Sequence, residues 1–275
     1  MLTNYAIALL SYDHPDLTAK AVASVLSLNF SKEKLFLIHN GSELSHVNRL
    51  KTQFPDIRHL QTFENKGYSA GANFGFKEIF NIEENIFFLT NDTEVLELPK
   101  FFPQDLDLFS IPILKRNTQQ LDSIQGVVNL RTGRLQHLRS FDSNLKPYMK
   151  TYVPGSAFGL TKKAFEILDG FDESFHTYWE DVDLSLRAAL QPTLRMGFSE
   201  SFKVRHKIGK TCHKSRFYTL YLFQRNRRRV LACFGTFPVL FYFNYGFDMG
   251  RLFFKILFKS DRKKQLQFWW KALYD

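Results

Sequence analysis

Four short apolar runs separated by three helix-spaced segments fill the first 90 residues. The runs cover 5–12, 34–39, 57–63 and 86–89, and the segments between them 17–28, 47–54 and 70–80. Leu17, Ala21, Val25 and Leu28 recur at helical spacing, while Asp13-His14-Pro15 and Asn40-Gly41 are turn signals. Fully apolar runs this short read as strands buried on both faces. Strands alternating with helices at this spacing predict an α/β fold with a mostly parallel central sheet covered on both sides. In such sheets ligands bind beyond the carboxyl ends of the strands. That rule puts Ser11, Asp13, Asn40, Asn91, Asp92 and Thr93 along one edge.

The pattern then changes. Residues 106–114 read as a strand, and 123–138 as a hairpin with Arg131-Thr132-Gly133-Arg134 at its tip. An apolar stretch at 152–160 precedes Thr161, a candidate cap for a helix over 162–168. An acidic helix is expected from Glu180 to just before Pro192. A late strand over 194–204 has His206 beyond it.

Charge divides the chain more sharply than hydrophobicity does. From residue 201 on there are 17 Lys and Arg against 3 Asp and Glu, and before it 20 against 24. A basic C-terminal quarter fits an anionic partner. Residues 215–231 read as a helix. Residues 230–247 then carry no charge, but Gly235, Pro238, Asn244 and Gly246 interrupt them. Beyond Met249, Lys and Arg flank a Phe-rich stripe, and Trp269-Trp270 follow, the composition of a helix lying in a membrane interface. The expected partner is therefore an anionic membrane surface. Packing onto the body, or a homodimer, are the other readings of the same residues. Nucleic acid is not expected, because its binding would not need the long apolar run. Cys212 and Cys233 form neither a metal motif nor a disulfide framework, and the N-terminus reads as a strand. A cytoplasmic protein peripheral to the inner face of the cell membrane fits these features.

Three sequence features can carry chemistry. Glu180, Asp181 and Asp183 crowd three carboxylates into four positions. They suit a helix start, with Asp183 pairing Arg187 at the surface, and they equally suit a proton acceptor with neighbours that raise its proton affinity. Asp92 ends a buried strand. Its neighbours make an ordinary turn, but a carboxylate there can also hold Mg²⁺ or Mn²⁺, with His206 completing the coordination. The glycine-rich stretch from Asn65 to Gly75 opens a helix, and such a start offers N–H groups to phosphate oxygens. It lacks both the P-loop lysine pattern and the dinucleotide fingerprint.

The order of these features resembles the family-two inverting glycosyltransferases of the type A fold, especially the rhamnosyltransferase-like branch. The resemblance spans about residues 4–230. Its carriers are Asn65–Gly75, Leu89-Thr90-Asn91-Asp92-Thr93, and Gly170-Phe171-Asp172-Glu173 with Glu180-Asp181-Val182-Asp183-Leu184. It implies a metal-dependent inverting transfer of a sugar, rhamnose being the leading guess, from a nucleotide-diphosphate donor to a glycan or lipid-linked acceptor. It implies Asp181 as base and Asp92 with His206 at the metal. The donor side would hold Ser11, Asp13, Asn40, Asn65, Gly67, Asn73, Asn91 and Thr93. The acceptor side would hold Gly155, Ser156, Trp179 and Glu180. Residues 1–214 would form the catalytic domain and 215–275 a basic, Phe-rich helical region. Two positions depart from the pattern: Asp13 stands for the usual Asn, and His39 for the Asp tied to nucleotide-base recognition. A nucleotide-sugar-binding homologue without turnover is the alternative these departures leave.

Overall fold

The computed structural model describes residues 3–115, 118–206, 216–235, 238–257 and 262–274. The first half follows the predicted alternation: β1 (Ala6–Ser11), α1 (Pro15–Leu26), β2 (Leu35–Asn40), α2 (Leu44–Gln53), β3 (Arg58–Thr62), α3 (Tyr68–Ile79) and β4 (Asn85–Thr90). Then come short strands: β5 (Thr93–Glu97), β6 (Leu108–Ser110), β7 (Ile113–Leu114), β8 (Leu121–Ser123), β9 (Gln125–Asn129), β10 (Arg134–Leu138), β11 (Met149–Tyr152) and β12 (Ala157–Thr161). Helices α4 (Lys162–Leu168) and α5 (Glu180–Ala189) precede β13 (Met196–Phe198) and β14 (Lys203–His206). Three helices close the described chain: α6 (Arg216–Phe234), α7 (Pro238–Leu257) and α8 (Arg262–Tyr274).

The central sheet runs β13-β6-β12-β4-β1-β2-β3 and is parallel except for β12, which lies antiparallel between β6 and β4. Side chains alternate across it. Ile7, Leu9, Leu35 and Leu37 pack with α1 on one face, and Ala6, Ala8, Phe36 and Ile38 pack with α3 on the other. The abundant phenylalanines fill both layers. Phe76 meets Phe88 at 5.1 Å with near-perpendicular rings, and Phe87 stacks on Phe202 at 4.4 Å. Ring pairs in these geometries contribute roughly 0.5–1.5 kcal/mol beyond area burial. Gly159 is required because a Cβ there would lie 2.1 Å from the Phe109 ring.

Three expected elements divide. The strand expected over 106–114 is two, because Pro112 donates no N–H and the chain leaves the central sheet there for the four-stranded sheet β5-β14-β7-β8. The strand expected over 194–204 divides at a turn where Ser199 and Ser201 bond side chain to side chain at 2.7 Å. Its pieces pair in parallel with β6 and β7, so both segments cross between sheets side by side. The stretch 152–160 bends at Pro154-Gly155 between β11 and β12. The predicted Thr161 cap is present, its hydroxyl oxygen accepting the Ala164 N–H at 3.1 Å.

The C-terminal helices pack on the body through a third core. Val230 and Leu231 of α6, Tyr245 and Met249 of α7, and Ala272 of α8 join Tyr152, Trp179, Val182 and Leu186. Among the described residues no helix is long and apolar enough to cross a membrane.

Candidate active site

The metal pair is assembled by strand register. Antiparallel pairing of β14 with β5 sets His206 opposite Thr93, next to Asp92. His206 Nε2 lies 3.1 Å from Asp92 Oδ2, and the Thr90 hydroxyl donates to Asp92 Oδ1 at 2.6 Å. Burial pushes the Asp92 carboxyl up, but the His206 hydrogen bond and charge with the Thr90 hydroxyl outweigh it, so the group sits below its ordinary range. An octahedral cation with ligands at about 2.1 Å sets adjacent ligands roughly 3 Å apart. The Asp92–His206 spacing matches one such edge, and a carboxylate with an imidazole suits Mn²⁺. Among the described residues no cluster of three or more His, Cys, Asp or Glu forms a complete cage. Asp92 and His206 thus supply two candidate ligands that lie within reach of one cation.

Asp181 opens α5 after a strained approach. His176, Tyr178 and Trp179 all have positive φ, a conformation that costs non-glycine residues about 1–3 kcal/mol each. Such strain persists only where surroundings enforce it, and α6 does so here. Asn226, fully buried, directs its amide to the carbonyls of Phe175, Thr177 and Tyr178 at 2.7–2.9 Å. Arg225 donates to the Ser174 and Phe175 carbonyls, and Arg229 to Ser174. Opposite, the Gly155 N–H donates to Asp181 Oδ2 at 2.9 Å and the Val182 N–H to Oδ1 at 2.8 Å. The Ser185 hydroxyl bridges the Asp181 carbonyl to the Val153 N–H. The base candidate therefore has both oxygens oriented by backbone.

The two halves of the site are one network. Tyr68 at the start of α3 donates to the Gly155 carbonyl. The Ser156 carbonyl accepts from the Thr90 N–H at 3.0 Å. Hydrogen bonds thus run from His206 through Asp92, Thr90 and the 155–156 loop to Asp181. The Tyr68 hydroxyl is pushed far above its usual range, first by burial, then by the charges of Glu180, Asp181 and Asp92, which surround it.

Burial raises both carboxyls at the start of α5. The nearby Asp181 charge raises Glu180 further, whereas the Gly155 and Val182 N–H groups and the His137 imidazole pull Asp181 back down. Glu180 Oε2 is buried without a hydrogen-bond partner among the described residues. The Gly155 and Val182 N–H groups favour a negative charge on Asp181 over one on Glu180.

The remaining expected residues lie where the sequence put them, with their polar groups turned inward. Asn40 donates to the Gly67 carbonyl and accepts from Thr62. Asn65 accepts the Gly67 N–H. Asn73 ties α3 to Phe171 and Glu173. Asn91 and Ser11 bond Thr18, and Thr93 bonds the Thr90 carbonyl. Asp13 accepts the Glu43 N–H while its own N–H meets Ser42. These groups shape the loops of the carboxyl edge. Trp179, expected beside an acceptor, is only 2% exposed and packs edge-on against Phe223 in the third core. The Asp183–Arg187 pair, expected at the surface, is a half-buried clamp, with Asp183 buried and Arg187 partly exposed. Arg187 reaches Asp183 at 2.8 Å and also the Leu168 and Gly170 carbonyls. Sequence reasoning gave no role to Tyr68 or Asn226. Tyr68 lay within the glycine-rich motif, whereas nothing local distinguished Asn226.

His39 ends β2 fully buried. Its Nε2 lies 3.0 Å from His59 Nδ1, and His59 Nε2 lies 2.9 Å from the Phe54 carbonyl. A carbonyl only accepts, so His59 Nε2 carries a proton, His39 Nε2 donates in turn, and His39 Nδ1 is left as an acceptor. Burial, then the charges of His59 and Lys51, hold His39 down to about 3. A neutral imidazole therefore stands where the resemblance expects a carboxylate.

The fold is that of type A glycosyltransferases. The chain superposes on a crystal structure of GalNAc-T7 with UDP, GalNAc and Mn²⁺ at TM-score 0.62 and 13% identity, covering 83% of this chain and 47% of that one. It superposes on the mannosyltransferase PcManGT of Pyrobaculum calidifontis, in complex with GDP-Man and Mn²⁺, at 0.55 and 13%, covering 98% and 74%. Residues 1–349 of S. aureus TarS in complex with UDP match at 0.51 and 14%, covering 86% and 67%. In sequence, the chain is 26% identical over 205 residues to the low-salt glycan biosynthesis hexosyltransferase Agl10 of Haloferax volcanii. That alignment takes in 70% of this chain and spans 65% of the relative's length. No family model matches the chain.

Proposed function

We propose that the chain is a metal-dependent, inverting glycosyltransferase that moves a hexosyl unit from a nucleoside-diphosphate donor to a hydroxyl of a growing glycan. The observation that carries this is the linkage of the Asp92–His206 pair to an oriented Asp181 through Thr90 and the 155–156 loop. The similarity to a glycan biosynthesis hexosyltransferase and to glycosyltransferases holding UDP, GDP-Man and Mn²⁺ supports it.

The donor diphosphate lies at the carboxyl edge, on Asp92 and His206. A divalent cation there would carry the negative charge that grows on the departing diphosphate. Asp181 accepts the proton of the acceptor hydroxyl as that oxygen bonds to the anomeric carbon. The carbon–oxygen bond to the diphosphate breaks on the opposite side, inverting the centre. A single displacement needs one base and no covalent nucleophile. Glu180 is raised the more strongly of the two, which favours the local negative charge on Asp181.

Transfer and donor hydrolysis over a panel of UDP-, GDP- and dTDP-sugars, dTDP-rhamnose included, with and without Mn²⁺, test this reading. Calorimetry on Asp92→Ala is expected to show loss of the metal-dependent part of nucleotide binding. Equal affinity in wild type and variant, with and without metal, would remove the metal site. Binding without turnover across the whole panel would favour a nucleotide-sugar-binding protein, the alternative raised by His39.

A further inference from the structure

We propose that α7, flanked by α8, is the surface by which the protein lies on an anionic lipid bilayer, with α7 in the plane of the interface. The two sides of α7 differ completely. On one side, Tyr245, Met249 and Ile256 are buried, and the Tyr245 hydroxyl donates to the Ala272 carbonyl. On the other, Val239 is 84% exposed, Phe243 75% and Phe254 65%, with Tyr242 and Phe247 also exposed. At 100° per residue these five side chains span one half of the helix. Gly246 and Gly250 lie within the same arc, and a Cβ on either would meet nothing within 4 Å. Val239, Phe243, Phe247 and Phe254 each keep more than half of their surface exposed. Exposed aromatic side chains so concentrated mark an interaction surface.

Charge identifies the partner. Helices α7 and α8 contain one acid, Asp248, and it pairs with Arg227 at 3.0 Å. Arg251 borders the stripe, its guanidinium 5.6 Å from the Phe247 ring centre. Arg262, Lys263 and Lys271 are exposed on α8. Lys263 and Lys271 also line a groove of about 790 Å³ with Phe253, Phe268, Trp269 and Trp270. An aromatic stripe edged by cations, on a helix that cannot span, is the pattern of an interfacial helix attracted to anionic headgroups. A second copy fits less well. A two-fold interface would bring the same cations together, with the local acid already used. The inference stands on α7 and α8 alone and does not depend on the reaction proposed above. The buried side of α7 shares a core with Trp179 and Val182, the neighbours of Asp181, so the proposed membrane surface lies next to the helix that carries Asp181.

Flotation of the full chain with phosphatidylcholine vesicles, with and without phosphatidylglycerol, tests this directly. The chain is expected to float with the anionic vesicles and to stay below with phosphatidylcholine alone. The double variant Phe243→Glu, Phe247→Glu is expected to lose flotation with an unchanged melting curve, since both side chains are exposed. Arg251→Gln, Lys263→Gln and Lys271→Gln are each expected to weaken binding roughly fivefold. The proposal is overturned if the wild type stays below with anionic vesicles, or if the double glutamate variant floats as well as the wild type. It is also overturned if light scattering shows a dimer that the glutamates dissociate while no vesicle binding occurs.

Discussion

His39 shows how one buried side chain sets a measurable property. Its protonation is held down to about 3 by burial and by His59 and Lys51, against an ordinary value of 6.5. Between those values the unfolded chain binds a proton that the folded chain refuses. Its contribution is therefore complete above pH 6.5 and is lost as pH falls toward 3, by up to about 1.4 kcal/mol per pH unit. His59 is lowered for similar reasons and adds to the same slope. The buried carboxyls Glu180, Asp181 and Asp183 act in the opposite sense, because their folded values are raised. Thermal unfolding of His39→Gln is expected to vary less with pH between 7 and 5 than that of the wild type. Identical slopes would mean that His39 is not held neutral. The Gln retains an acceptor and a donor, so the variant also asks whether a neutral polar group suffices here for nucleotide binding.

At the scale of elements, α6 holds the approach to Asp181. The amide of Asn226 donates to the carbonyls of Phe175, Thr177 and Tyr178 in the segment 175–179, where His176, Tyr178 and Trp179 hold positive φ. Asn226→Ala leaves those buried carbonyls unpaired and is expected to cost about 1–3 kcal/mol. Turnover should fall while nucleotide affinity stays, since Asp92 and His206 lie on other strands. A variant with full turnover would show that α6 does not position Asp181. The sequence made the helices and strands of the first half legible, because buried strands and amphipathic helices write their periods locally. It made the Thr161 cap legible for the same reason. It offered His206 as the partner of Asp92, and the register of β14 with β5 is what brings the two together. It could not separate 106–114 into two strands, because leaving one sheet for another changes no local period. Asp183–Arg187 read correctly as a pair and wrongly as a surface pair, since helical spacing fixes neighbours but not burial.

For the whole molecule, the basic C-terminal quarter is part of the active domain's construction. Leu222, Val230 and Leu231 of α6 are buried, and the third core draws on α5, α6, α7 and α8 together. A chain ending at residue 214 would expose this core and free the turn before Asp181. It is expected to lose cooperative unfolding, as followed by near-ultraviolet circular dichroism. A sharp transition in the shortened chain would instead make 1–214 a self-sufficient unit, the domain division expected from the sequence. The proposed donor side is the carboxyl edge of the central sheet. The aromatic stripe lies across the helices that support the base.

The central claim is that Asp181 removes the acceptor proton while Asp92 and His206 hold the donor. It is tested most directly by Asp181→Asn, an isosteric change that keeps an oxygen for the Gly155 N–H. Sugar transfer is expected to fall roughly a hundred- to ten-thousandfold, with Mn²⁺-dependent donor affinity unchanged. Transfer at the wild-type rate would contradict the account.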